Sequence, residues 1–100
     1  MGTARPKPER LAEKLRQIRL ALGLSQPEML RRLGLEESMQ YARISEYEQG
    51  MREPSLLTLL AYSRVAGVHL ETLADDEEDL PDKLPARLVT AKASRRASKK

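Results

Sequence analysis

The sequence has no cysteine, tryptophan or phenylalanine, and only three tyrosines and one histidine. Without cysteine, neither a disulfide framework nor a thiolate metal site can form. With His69 as the single imidazole, a histidine-rich metal site and a serine–histidine relay both lack parts. Glycine-rich phosphate loops are missing, and three tyrosines are too few for a platform that stacks single-stranded bases. These gaps point away from an enzyme, and no cofactor or metal is expected. No apolar run approaches the ~18 residues of a membrane span. The opening MGTARPKPER carries no apolar core behind its basic residues. A cytoplasmic protein without a membrane partner is therefore expected.

Charge of one sign is scarce where the chain can fold. Residues 9–73 hold nine Lys/Arg and nine Asp/Glu, so the net charge of +3 arises elsewhere. Six acids and no base lie between Asp75 and Asp82; seven bases and no acid lie between Lys83 and Lys100. The high isoelectric point belongs to the tail, and overall charge is weak support for nucleic-acid binding.

What is present is helical periodicity in a stretch of about 65 residues, small but within the range that folds alone. The expectation is all-α: a compact bundle of five short helices with flexible termini. The divisions are a disordered arm (1–8), a helical domain (9–74), an acidic, proline-containing linker (75–85) and a basic tail (86–100). Helix 1 is expected from Pro8 or Glu9 to Leu22, with Leu11, Leu15, Ile18 and Leu22 on one face. Ser25 through Glu28 reads as a capping box opening helix 2, whose inward face is Met29, Leu30 and Leu33. Helix 3 starts near Ser38 to Gln40 and runs to Gln49, with Ile44 and Tyr47 inward. Ser55 caps helix 4, whose stripe is Leu56, Leu59, Leu60 and Val65 or Ala66. Helix 5 covers 70–75 and adds Leu73 to the core. Four of the five glycines directly follow a predicted helix, where the left-handed conformation is needed.

Two short helices joined by a tight glycine-containing turn make a helix-turn-helix pattern. The residues are more specific than the pattern. Leu22-Gly23-Leu24-Ser25-Gln26, Leu33-Gly34, Ile44-Ser45-x-Tyr47-Glu48-x-Gly50, Pro54-Ser55-Leu56-x-x-Leu59 and Gly67-Val68-x-Leu70-x-x-Leu73 follow in order. This set resembles the phage repressor and Cro-like helix-turn-helix family, of XRE type, over residues 9–74. The resemblance implies a five-helix fold that binds duplex DNA at an operator, as a repressor-like regulator and a homodimer. By position, Gln26 would donate to a phosphate. Gln40, Tyr41, Ala42, Arg43 and Glu46 would face the major groove, and Gln49 and Arg52 would touch the backbone. Glu48 would be structural, paired with Arg19 or another base.

The side chains suit these roles. Arginine reads guanine with a bidentate fork, glutamine does the same for adenine, and a carboxylate accepts from cytosine N4. An arginine on the backbone adds affinity without reading sequence. The chain departs from the family between Gly34 and Ile44, which are roughly one helical turn further apart than usual. If helix 3 is extended at its front, Ser38, Met39 and Gln40 lead it. If the loop is longer, Tyr41 to Glu46 remain the readers. Tyr41 packs on helix 2 or on DNA; Tyr47 and Tyr62 are read as core, and Arg31 and Arg32 as a solvated face. The alternative from another class is a protein-interaction module, or an antitoxin that binds a toxin or co-regulator as well as its own promoter.

Overall fold

Helix boundaries in the computed structural model, which describes residues 8–85, follow local capping chemistry. The order is α1 (Leu11–Leu22), α2 (Gln26–Leu33), α3 (Ala42–Glu48), α4 (Leu56–Ala66) and α5 (Leu70–Ala74). No strand occurs among the described residues. The expected basic tail, and all of the expected arm except Pro8, lie outside them.

α1 begins at Leu11, later than Pro8 or Glu9, and the backbone just ahead of it is held by a distant residue. Glu9 N donates to Asp76 Oδ2 at 2.9 Å and Arg10 N to Asp76 Oδ1 at 3.0 Å. A residue from beyond α5 thus holds the backbone at and just before the cap position, where Arg10 makes no side-chain cap bond. Lys14 returns the favour. Its buried Nζ donates to the Thr72 and Asp75 carbonyls, each at 2.8 Å, at the end of α5. A cation on these carbonyls also complements the negative end of a helix. Arg10 adds a hydrogen bond to Asp76 O at 2.7 Å and an ion pair with Asp79.

The capping box of α2 is formed. Ser25 Oγ accepts from Glu28 N at 3.2 Å, and Glu28 Oε1 accepts from Ser25 N at 2.8 Å. At its far end Gly34 takes φ 78°, which strains any side-chain-bearing residue. That conformation turns the N–H of Leu35 back onto Leu30 O at 3.2 Å.

α3 is shorter than expected, starting at Ala42 and ending at Glu48. The extra residues belong to the loop. Leu35 O accepts from both Ser38 N and Met39 N, which closes a turn over residues 36–38. Met39 is half-buried against the core, and its sulfur accepts from the Tyr47 hydroxyl at 3.7 Å. Tethered in this way, Ser38 to Gln40 cannot extend the helix.

α4 is capped by Ser55, whose Oγ accepts from Thr58 N at 3.2 Å. Its buried arc is Thr58, Leu59, Tyr62, Ser63 and Ala66. Leu56 falls just past the edge of that arc and is 67% exposed, so its expected place in the buried stripe is corrected. The Ser63 hydroxyl is accommodated inside by donating to Leu60 O at 2.7 Å.

The core joins Leu11, Leu15 and Ile18 of α1, Met29, Leu30 and Leu33 of α2, and Ile44 and Tyr47 of α3. Leu59, Tyr62 and Ala66 of α4 and Leu73 of α5 complete it. The stretch 75–85, expected as a linker, also contributes. Leu84 is buried, and Leu80 packs on the cluster half-buried. Acidic composition concealed these two leucines, which lie against the bundle beside the α1–α5 caps.

One ion pair sets the position of α3. Arg19 Nε donates to Glu48 Oε2 at 2.7 Å and Nη2 to Oε1 at 3.0 Å, with side chains 14% and 4% exposed. Arg19 Nη1 also donates to Leu24 O at 3.0 Å, tying in the α1–α2 turn. The Glu48 carboxylate holds the Arg19 guanidinium above its usual range. A bidentate pair of this kind is strong when formed and costly when one member is removed.

Replacing Arg19 with Met leaves Glu48 buried and unpaired, and should cost about 3–5 kcal/mol in urea unfolding. Arg19→Met with Glu48→Met should recover much of that loss; strictly additive losses would show the pair to be uncoupled. Lys14→Met should cost about 1–3 kcal/mol, because two part-buried carbonyls lose their donor; unchanged stability would mean that they find another. Asp76 is held below the usual carboxylate range by the Glu9 and Arg10 backbone N–H groups. Its folded pKa is thus below its unfolded one, so its contribution is present above the carboxylate range and lost as pH falls through it. The urea midpoint should drop between about pH 5 and pH 3, and drop less in Asp76→Asn; an equal drop in both proteins would assign the acid sensitivity to other groups.

Candidate nucleic-acid interface

At about 100° per residue, α3 divides cleanly into two faces. Ile44 and Tyr47 point into the core, and Glu48 turns to Arg19. The remaining arc carries Ala42, Arg43, Ser45 and Glu46, with Gln49 just beyond the last turn. This arc has solvent in front of it. The helix is anchored on its inner side by apolar contact and by the bidentate pair, so its outer side is presented rigidly.

The loop before α3 and the loop after it complete the surface. Gln40, Ala42, Arg43, Glu46 and Arg52 line one shallow notch, with Ser38 and Met39 as its wall. Inside it Glu46 Oε1 accepts from Arg52 Nε at 2.8 Å and lies 3.5 Å from Arg43 Nε. The side chains of Arg43, Glu46 and Arg52 are 38%, 38% and 51% exposed. Charged groups so placed can exchange their mutual contacts for contacts with a ligand.

The other expected site residues are placed as follows. Tyr41 is 55% exposed, so it is not packed away on α2. Gln49 is exposed, and its Nε2 donates to Ser45 Oγ at 2.7 Å. Gln26 stands in the first turn of α2, half-buried, with Nε2 3.5 Å from Glu48 Oε1. At that distance the contact is weak, and the amide is free to turn outward. Arg31 and Arg32 are exposed on α2, with Arg31 Nε 4.0 Å from Glu36, as befits a solvated face.

Sequence reading missed Ser45, which lies at the edge of the outer arc beside Gln49. A helical wheel drawn from Ile44 and Tyr47 would have found it. Met39 and Ser38 were considered as a leading helical tip; they serve instead as the wall of the notch. His69 sits in the N-cap position of α5, exposed and without a side-chain cap bond. The carboxylates of Glu71, Asp75 and Glu78 come within 4.8 Å of one another, and Glu78 is held by Thr72 Oγ1 at 3.1 Å. Acidic groups gather in this way on many surfaces without a metal.

A short rigid helix with a polar outer arc, preceded by a second helix across a glycine turn, is the geometry that enters a major groove. The comparison with known families agrees. A family model described as helix-turn-helix matches residues 15–73, from the middle of α1 through α5. No curated protein and no solved structure matches the chain. The matched stretch covers more than half of the chain and includes all of α2, α3 and α4. Over it run the buried pair, the glycine turn and the outer arc of α3, and the chain belongs to the helix-turn-helix family of DNA-binding domains, of the XRE and Cro-like type.

Proposed function

We propose that the protein is a sequence-specific transcriptional regulator, repressor-like, that reads duplex DNA with the outer arc of α3. The observation that carries this reading is the gathering of Gln40, Ala42, Arg43, Glu46 and Arg52 around one notch on the solvent side of that helix. Arg43 is suited to guanine O6 and N7, Gln40 to adenine, and Glu46 to the cytosine amino group. Ala42 and Tyr41 offer apolar contact to a thymine methyl. Gln26, Gln49 and Arg52 flank the arc and take backbone phosphates, which fix register without reading sequence. The protein acts as a homodimer on half-sites about 34 Å apart, and carries out no catalysis.

Selection of random duplexes by the purified full chain, at about 0.15 M salt, tests this reading. An enriched palindromic motif supports operator recognition by a dimer. No enrichment by a folded, helical protein would favour a protein-interaction module or antitoxin instead. Against the enriched duplex, Arg43→Ala should weaken binding by about 1–3 kcal/mol and relax the preference at one base pair. Unchanged affinity would remove Arg43 from the readers.

A further inference from the structure

The cations of the notch are not free. Arg43 and Arg52 reach it from different elements, one from the first turn of α3 and one from the loop after α3. Both turn Nε toward the same oxygen, Oε1 of Glu46, at 3.5 Å and 2.8 Å. The three side chains together carry one positive charge instead of two. The rest of the outer arc, Ala42, Ser45 and Gln49, is uncharged. The face that would meet a polyanion is therefore close to neutral, as residues 9–73 are overall.

A phosphate that draws either arginine away leaves the Glu46 carboxylate with fewer donors, and places it close to a second anion. Both effects oppose binding to a duplex that offers nothing else. A duplex with a base amino group opposite Glu46 differs. A cytosine N4 group is a donor that the carboxylate can accept in place of the guanidinium groups. Both arginines then become available, one for a base edge and one for a phosphate.

We propose that Glu46 is a specificity-determining charge lock, which keeps Arg43 and Arg52 from non-specific phosphates and releases them where a base amino group takes their place. This rests on the reading of the α3 arc as a DNA-binding surface. Glu46 contributes less by the contact it makes at the right sequence than by the contacts it withholds at wrong ones. The carboxylate needs no large movement, because its partners are half exposed and it already lies on the outer arc.

The test uses the full chain, with Glu46→Gln beside the wild type, on a short mixed-sequence duplex and on the enriched duplex from the selection. Glutamine keeps the size and an acceptor but removes the charge. Freeing one arginine adds about one phosphate contact, which steepens the salt dependence by about 0.9 in logarithmic slope. It should raise affinity for the mixed duplex roughly fivefold at about 0.15 M salt. Affinity for the enriched duplex should rise less or fall, so that discrimination narrows. The gain on mixed duplex should shrink when Arg52→Ala is added. Glu37→Gln, a charge loss on the α2–α3 loop, should give the smaller gain of a general electrostatic effect. Equal gains from Glu46→Gln and Glu37→Gln, or no gain from Glu46→Gln, would overturn the lock while leaving DNA binding intact. If neither wild type nor Glu46→Gln holds any duplex, the DNA-binding reading fails and the lock falls with it.

Discussion

The Arg19–Glu48 pair is the contact on which the placement of α3 and its outer arc depends. It is bidentate, almost wholly excluded from water, and joins residues far apart in sequence. α3 has only seven residues, too few to be stable as an isolated helix. Its orientation must come from tertiary contacts. Ile44 and Tyr47 supply the apolar part, but apolar packing tolerates sliding and rotation. A two-pronged pair does not. The third guanidinium bond, to Leu24 O, brings the α1–α2 turn into the same arrangement and so places the start of α2 beside α3. The relative placement of the two helices of the motif is thus referred to a single side chain on α1.

The outer arc of α3 is organised by the opposite kind of electrostatics. Arg43, Glu46 and Arg52 are exposed enough to be screened by water and salt, and their pairings are weak and exchangeable. One ion pair is buried and fixes the helix; the other set is wet and adapts to what lies in front of it. The two sit on opposite sides of a helix two turns long, so one short element carries stiffness on its inner side and adaptability on its outer side.

Much of the fold was legible from the sequence because its signals are local. The Ser25 capping box, the Ser55 cap and the glycines after α1, α2 and α4 set helix ends to within a residue. Tyr47, Tyr62 and the Arg19–Glu48 partnership were also expected where they are found. What escaped depended on distant contacts. The start of α1 is set by Asp76, which is 66 residues from Arg10, and no local pattern announces it. Lys14 looks like an ordinary surface base until the end of α5 is placed beside it. Leu80 and Leu84 were hidden by acids and prolines that read as linker. The front of α3 could go either way, because residues 36–41 have no decisive periodicity; the tether from Met39 to Tyr47 makes them a loop. On the candidate site, the outer arc could be read from the core positions Ile44 and Tyr47. The sharing of Glu46 by two arginines could not, since Arg52 reaches it across a turn.

The exchange of caps between α1 and α5 has a topological consequence. Asp76 holds the backbone N–H groups just ahead of α1, while Lys14 holds carbonyls at the end of α5, so the two ends of the helical domain are tied to each other. Fraying at either end therefore loosens contacts made by the other. The same closure makes the order of the helices along the chain a matter of bookkeeping. A circular permutant that joins the segment after Asp76 to the segment before Glu9 and opens the chain in an exposed turn would keep each of the buried contacts described, with the reading helix moved to a new place in the sequence but not in space.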